Sequence, residues 1–275
     1  MSKDQRASPP DHLKLLAEGE IEVKGRMPWS SNRTYLVICS LGSKRAPAIY
    51  KPASGERPLW DFPPGLYRRE VAAYALSDAL GWRIVPDTIV REDAPMGRGS
   101  LQRFMPADFS QHYLTLVEDP LYHKELRKIA VFDLLANNAD RKSGHCLLAD
   151  PNWDGHSHGP ASDRSAWSSG KQERKLSEPA PAKAKLWAVD HGLCFLTEPK
   201  LRTVIWDFAG KPIPDDLLED VSKLLPLPDG LLTDLERLLR PDEVRSIQRR
   251  AQNILDRPYF PVPTGSHHDW PWPLI

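Results

Sequence analysis

The sequence predicts an α+β protein in two parts, an antiparallel sheet with one long helix followed by a mostly helical second part. Three observations predict this. Up to about residue 106, short runs rich in β-branched and aromatic residues alternate apolar with polar positions. One long segment in that part, 66–80, instead repeats its apolar residues with the period of a helix. Beyond 106 the balance reverses, and helical periodicity dominates to about residue 255. The predicted parts are therefore residues 1–106 and 107–275.

Composition narrows the class. Lysine plus arginine equals aspartate plus glutamate at 37 each, so no global basic field points to nucleic acid or to an anionic membrane. The 40% apolar content is that of a globular protein, and 27 prolines signal long loops and rigid turns. Cys39, Cys146 and Cys194 stand singly in apolar surroundings, the usage of a reducing compartment. With no apolar leader and no run long enough to span a bilayer, the expectation is a cytoplasmic protein without a stable membrane anchor.

In order, residues 1–10 are expected to be disordered and 13–16 to open a short helix. Strands are expected at 19–25, 32–39 and 46–52. The first pair is joined by a turn, 26–31, whose hydroxyls and amides suit either an ordinary hairpin or a phosphate cover. Lys51 ends the third strand just before Pro52, on the same face as Ile49. Residues 53–65 form a proline- and glycine-rich loop. The helix 66–80 stops at Gly81 and carries Glu70 at the edge of its apolar face. Two further strands are expected, 84–86 with 88–90, then 99–106. Helices follow at 114–121 and 123–137, then strands at 146–148 and 186–189. The intervening 150–185 is polar and rich in Ser, Gly, Pro and Lys, the composition of a disordered insert, and metal binding by its His156 and His158 is not expected. Helices at 215–225, 230–239 and 242–255 precede a proline- and tryptophan-rich tail.

Two polar stretches interrupt these elements. The first, Asn137-Asn138-Ala139-Asp140-Arg141-Lys142-Ser143-Gly144-His145, lies between a helix and a strand. The second, Asp190-His191-Gly192-Leu193, follows an apolar strand. Taken singly, Asp140 is also a turn-capping residue, Asp190-His191-Gly192 an ordinary strand-end turn, and Lys51 a solvated charge. Taken together, an Asp in a polar loop after a helix and an Asp-x-Gly at a strand end form the pair used in phosphoryl transfer from a magnesium nucleotide.

The segments 132–141 and 188–195 resemble the catalytic loop and metal-binding motif of phosphatidylinositol 3-/4-kinase-related proteins. The likeness is greatest to type II phosphatidylinositol 4-kinases and their bacterial relatives, and more distant to HipA-type bacterial kinases. The strong match covers about twenty residues; element order extends it over roughly 19–210. The resemblance implies a two-lobed protein-kinase-like fold and ATP-dependent transfer of a phosphoryl group to a hydroxyl. It implies that Lys51 meets the α/β-phosphates, that Glu70 pairs with Lys51, and that Gln102, Phe104 and Met105 lie in the connector that binds adenine. Ser31, in the first turn, would help cover the phosphates. Asp190 would hold Mg²⁺ or Mn²⁺, Asp140 would orient or deprotonate the acceptor hydroxyl, and Arg141 would stabilise that base or touch the phosphoryl group.

The sequence departs from that pattern at His145, where such kinases carry a metal-holding Asn five residues after the catalytic Asp. Imidazole suits Mn²⁺ better than Mg²⁺. There is no glycine-rich GxGxxG loop, cysteine-rich palmitoylation stretch or basic amphipathic helix, so a protein or small-molecule acceptor is favoured over a lipid. Two alternatives stay open at this level. One is a nucleotide-binding scaffold without phosphotransfer. The other is an unrelated α+β domain, in which Lys51 and Asp190 lie far apart.

Overall fold

The computed structural model describes residues 11–28, 30, 32–149 and 184–275. The expectations for residues 1–10, for Ser31 and for nearly all of the 150–185 insert fall outside the described residues.

The first lobe is a five-stranded antiparallel sheet in the order β1-β2-β3-β5-β4. Its strands are β1 (Glu20–Arg26), β2 (Tyr35–Leu41), β3 (Lys44–Pro52), β4 (Thr88–Arg91) and β5 (Gly99–Arg103). Side chains along β3 alternate in burial, as a two-residue period requires. Ala48 and Tyr50 enter the core with Val37, Cys39 and Leu101, beneath Leu15 and Leu16 of α1 (Asp11–Glu18). Ile49 and Lys51 fall on the other face. The guanidinium of Arg91 donates to the carbonyls of Leu16 and Gly19, at 2.7 and 3.0 Å, and so satisfies the end of α1.

The long helix α2 (Leu66–Ala79) is buried on more than one side. Glu56, from the preceding loop, accepts from the N–H groups of Gly65 and Tyr67, both at 2.8 Å, and so caps its N-terminus. Ala72, Ala73 and Leu76 join the same core as Phe132, Leu135, Ile247 and Ala251 of the second lobe. Each fully buried aliphatic or aromatic chain there contributes about 1.5–3 kcal/mol. Of the strand expected over 84–86 with 88–90, the second part is β4, while 84–86 is an irregular segment: Ser77 Oγ accepts from the N–H groups of Ile84 and Val85 at 3.0 and 3.3 Å.

The second lobe contains α3 (Tyr113–Leu116), α4 (His123–Ala136), α5 (Asp215–Ser222), α6 (Asp229–Leu238) and α7 (Pro241–Asp256). A two-stranded antiparallel hairpin, β6 (Cys146–Ala149) with β7 (Lys185–Ala188), completes it. The hairpin faces two ways. Cys146, Leu148, Leu186 and Ala188 enter the main core, while Leu147 and Trp187 pack against Met105 of the connector between the lobes. Asn137 ends α4 in a left-handed conformation, φ 49°, and turns the chain into the loop that bears Asp140. Among the described residues, no helix is long and apolar enough to cross a membrane.

Candidate active site

Lys51, Glu70 and Asp190 come from three separate elements and meet between the two lobes. β3 delivers Lys51 on its cleft-facing side, and its ammonium bonds Glu70 of α2 and lies 2.8 Å from Asp190 Oδ1. The second oxygen of Glu70 accepts the N–H of His191 at 3.0 Å. Glu70 therefore ties the lysine-bearing strand to the Asp-x-Gly turn. Desolvation alone would push the Lys51 ammonium down, but Asp190 and Glu70 outweigh it and hold its pKa up. Asp190 is half-exposed. Desolvation opposes its ionisation too, yet Lys51 and then His145 outweigh it and hold the carboxylate well below its usual range.

The Asp140 loop is braided into the segment that follows Asp190. Ala139 N–H donates to Leu193 O at 2.8 Å, Arg141 N–H to Arg202 O at 2.9 Å, and Val204 N–H to Arg141 O at 3.1 Å. Asp140 N–H donates to Asn138 Oδ1 at 3.0 Å, an Asx turn that fixes the backbone at Asp140. Lys142 Nζ lies 3.1 Å from Asp140 Oδ2. Burial, reinforced by Asp190, raises the Asp140 pKa to about 6 against the pull of Lys142. That value suits a group asked to take a proton near neutral pH.

His145 bridges the two acidic residues. Its Nδ1 lies 3.1 Å from the Asp140 carbonyl and its Nε2 lies 3.3 Å from Asp190 Oδ2. Burial pushes its pKa down to about 4, so the ring is neutral at neutral pH. Two neutral tautomers satisfy these contacts: with Nδ1 accepting the Lys142 N–H at 3.4 Å, Nε2–H donates to Asp190 Oδ2, and with Nδ1–H donating to the Asp140 carbonyl, the Nε2 lone pair faces the carboxylate oxygen. In the second tautomer two acceptors face each other at a spacing that fits a cation between them. Among the described residues no group of three or more His, Cys, Asp or Glu side chains is placed to hold a metal by itself. The donor set thus suits a cation that takes its remaining ligands from nucleotide phosphates, as Mg²⁺ does where protein cages are lacking.

Arg141 corrects the expectation that it touches the phosphoryl group. It is fully buried. Its Nε and Nη2 donate to the two Asp133 oxygens, each at 2.9 Å. Nη1 donates to Val189 O at 2.8 Å and to His145 O at 3.3 Å, and Nη2 also to His191 Nε2 at 2.8 Å. These bonds engage all five guanidinium donors. Arg141 holds together the Asp140 loop and the strand end before Asp190, and it has no donor left for substrate.

The connector begins later than expected. Gln102 is a strand residue of β5, opposite Ile49 and Thr88, and its amide donates to Thr88 Oγ1 at 2.8 Å. Its backbone lies between two paired strands, so Gln102 belongs to the sheet and the connector follows it. Phe104 N–H is engaged by Pro47 O at 3.2 Å. Met105 is buried against Leu147, Ala149 and Trp187, which makes this apolar cluster the floor under the connector. Ser31 lies outside the described residues. Lys142, two residues after Asp140, has no role that the motif alone reveals, and Arg69 and Glu243 belong to no motif.

No family model matches the sequence. The structure resembles that of the Golgi casein kinase with a TM-score of 0.51 and 15% identity, covering 90% of this chain and 74% of that one. The Golgi casein kinase with Mn/ADP bound matches with the same TM-score and coverage at 14% identity. At such identity the likeness is one of fold, and the fold is two-lobed and kinase-like. A relative from Mycobacterium tuberculosis (strain ATCC 25618 / H37Rv) is 39% identical over 300 residues, spanning 96% of each chain, and this protein belongs to the same family as that relative, protein Rv2133c.

Proposed function

We propose that the protein is an ATP-dependent phosphotransferase that moves the γ-phosphoryl group to a hydroxyl on a protein or small molecule. The observation that carries this reading is the meeting of Lys51, Glu70 and Asp190 from β3, α2 and the turn after β7, beside Asp140. A triphosphate needs a cation on its oxygens and a carboxylate for its metal, and these residues supply both. The Mn/ADP complex of the structurally similar Golgi casein kinase supports a nucleotide and a divalent cation as ligands of this cleft.

In this reading the apolar floor of Met105, Leu147 and Trp187 receives the base. Lys51, held by Glu70, meets phosphate oxygens. Asp190 and His145 would hold Mg²⁺ or Mn²⁺, which when bound offsets the charge of the phosphates. Asp140 orients the acceptor hydroxyl and takes its proton, while Lys142 keeps the carboxylate in place. Positioning and fixed charge carry the acceleration. Arg141 acts through the loop it braces. The likeness to phosphatidylinositol kinases in particular belongs to this proposal, as does the preference for a non-lipid acceptor.

The test is incubation of the purified protein with ATP and either Mn²⁺ or Mg²⁺, with Asp190→Ala and Asp140→Ala beside it. The readouts are ADP release and the intact mass of the protein. ADP formation by the wild type, lost in both variants, is expected. ATP binding without ADP release under either metal would point to a nucleotide-binding scaffold, and an adenylyl-sized mass increment to nucleotidyl transfer.

A further inference from the structure

Helix α2 carries two adjacent buried charges that face different partners. Glu70 turns to Lys51 and to the His191 N–H. Arg69, roughly 100° round the helix, turns into the second lobe. There its Nη2 lies 2.5 Å from Glu243 Oε1 of α7, and its Nη1 donates to the carbonyl of Cys194. The two side chains are 3% and 2% exposed, so nearly all their water has been replaced by each other and by backbone. Glu243 is itself fixed, because its other oxygen accepts the N–H of Arg240 at 3.0 Å at the start of α7.

The consequence falls on the turn that bears Asp190. Adjacent residues of α2 grip that turn at two points, Glu70 at the His191 N–H and Arg69 at the Cys194 carbonyl. The turn begins and ends in left-handed backbone, with φ of 60° at Asp190 and 69° at Phe195, a region that residues with a Cβ seldom occupy. Such conformations persist where their surroundings over-determine them. The grip continues downstream. Asn137 Nδ2 donates to Leu196 O at 2.9 Å and to Glu198 O at 2.6 Å, and Arg250 Nη1 of α7 donates to Leu196 O at 3.2 Å.

We propose that Arg69, backed by Glu243, is a positioning residue for Asp190. It docks α2 on the second lobe and keeps Lys51, Glu70 and Asp190 assembled before any ligand arrives. This rests on the reading of Asp190 as the residue that holds the nucleotide's cation. An ion pair that only stabilises the fold would change the melting temperature and leave the cation affinity of the folded protein unchanged.

The experiment compares wild type with Glu243→Gln, which keeps the shape and an acceptor for the Arg240 N–H, and with Arg69→Met and Arg69→Lys. Ile247→Val, a fully buried change on α7 outside the network, is the control for lost stability. Mn²⁺ binding in the presence of ADP is read from the electron paramagnetic resonance signal of free Mn²⁺. Hydrogen exchange across residues 189–196 is measured without ligand. Glu243→Gln and Arg69→Met should each weaken Mn²⁺ binding by about tenfold or more, the scale of a lost partner behind a metal ligand. Both should also speed exchange in that segment, with partial recovery in Arg69→Lys and wild-type behaviour in Ile247→Val. Wild-type Mn²⁺ affinity and exchange in both variants, or an equal change in the control, overturns the proposal. A wild type that binds no Mn²⁺ with ADP would refute the phosphotransferase reading instead. The exchange data alone then decide, and unchanged protection in both variants overturns the positioning role.

Discussion

The Lys51 ammonium lies 2.8 Å from Asp190 Oδ1 although 139 residues separate them, and the same nitrogen bonds the buried carboxylate of Glu70. One cation thus stands between two anions where the two lobes meet. The unrelated-domain alternative required Lys51 and Asp190 to lie far apart, and they do not.

Removing that cation leaves Glu70 buried beside a second carboxylate. Lys51→Met, which keeps the bulk of the chain, should destabilise the protein by about 3–5 kcal/mol, the cost of breaking a buried ion pair from one side. Turnover should fall by roughly 10²–10³-fold, the usual consequence of losing one preorganised electrostatic group. Denaturant unfolding and ADP release measure the two effects. Wild-type stability in the variant would mean that the pair does not hold α2 to the sheet.

Asp140 gives opposite pH signatures in stability and in activity. Its folded pKa of about 6 lies above the ordinary 3.8, mainly because of burial. Stability from this group is therefore complete below about pH 4 and is lost as pH rises through about 6. At about pH 7, Asp140→Asn should stabilise the ligand-free protein by up to about 3 kcal/mol, and the gain should vanish towards pH 4. Activity runs the other way. In its proposed role as base Asp140 must be ionised, so kcat/KM should rise through about pH 6 and then level off. Thermal unfolding of both proteins across pH, beside a wild-type rate profile, tests both arms.

Gly99 sets how closely β5 approaches the lysine strand. A Cβ there would lie 2.3 Å from the Lys51 carbonyl oxygen and 2.7 Å from Pro52 Cα. Both are backbone atoms, so relief requires the strands to part beside Lys51. Gly99→Ala should cost about 1–3 kcal/mol, as overpacking does. It should also lower turnover by up to about 10²-fold through misplacement of the ammonium. Melting temperature and kcat measured together would reveal whether the strand spacing matters to the site.

What could be read in the sequence was periodic or punctuated. The expected helix 66–80 is found at Leu66–Ala79, and the expected strand 46–52 lies within Lys44–Pro52, because apolar spacing and Gly81 or Pro52 mark them. The apolar run 84–86 misled, since a short buried segment next to Pro86 has no period to separate strand from turn. β5 stops at Arg103 short of the expected 106, which leaves Phe104 and Met105 beyond the strand while Gln102 stays in the sheet. In the site, Lys51 and Glu70 were marked by their order relative to Asp140 and Asp190. Beside Asp140, Arg141 reads as a group that stabilises the base or meets the phosphoryl group, and nothing in the loop itself marks it as buried. Its burial depends on Asp133, eight residues earlier on α4. The Arg69–Glu243 pair spans 174 residues and lies in no motif, so only the packing of α2 on α7 reveals it.

The Asp133–Arg141 pair should be structural in its effects. Both side chains are essentially inaccessible. Asp133→Ala would leave a buried guanidinium without its carboxylate and should cost about 3–5 kcal/mol. Arg141→Lys keeps the charge but offers three donors in place of a five-donor fork, so it should also destabilise the protein strongly. Because Arg141 braces the loop without meeting substrate, the folded fraction of Arg141→Lys should keep the KM for ATP. Unfolding curves, with KM normalised to folded protein, check this. A KM raised in proportion to the loss of kcat/KM would instead place the guanidinium on the nucleotide.

His145 offers a test of which cation the cleft prefers. Its Nε2 faces Asp190 Oδ2 at 3.3 Å, and burial pushes its pKa down to about 4, so a neutral nitrogen donor stands beside a carboxylate at neutral pH. An imidazole–carboxylate pair suits Mn²⁺ better than Mg²⁺, which favours an all-oxygen shell. His145→Asn replaces the ring nitrogen with an amide oxygen and restores the residue type that the resembling kinases carry at this position. The ratio of Mn²⁺-supported to Mg²⁺-supported turnover should fall by roughly tenfold in the variant, within the range over which one ligand or its support changes metal affinity. The asparagine should also lose most of the bond to the Asp140 carbonyl, made by Nδ1 at 3.1 Å, so a modest fall in the maximal rate is expected with either metal. Turnover titrated against each metal separates the two effects, since half-saturation reports the ligand and the plateau reports the loop. A metal ratio equal to that of the wild type would remove His145 from the cation's shell and leave Asp190 as the sole protein ligand.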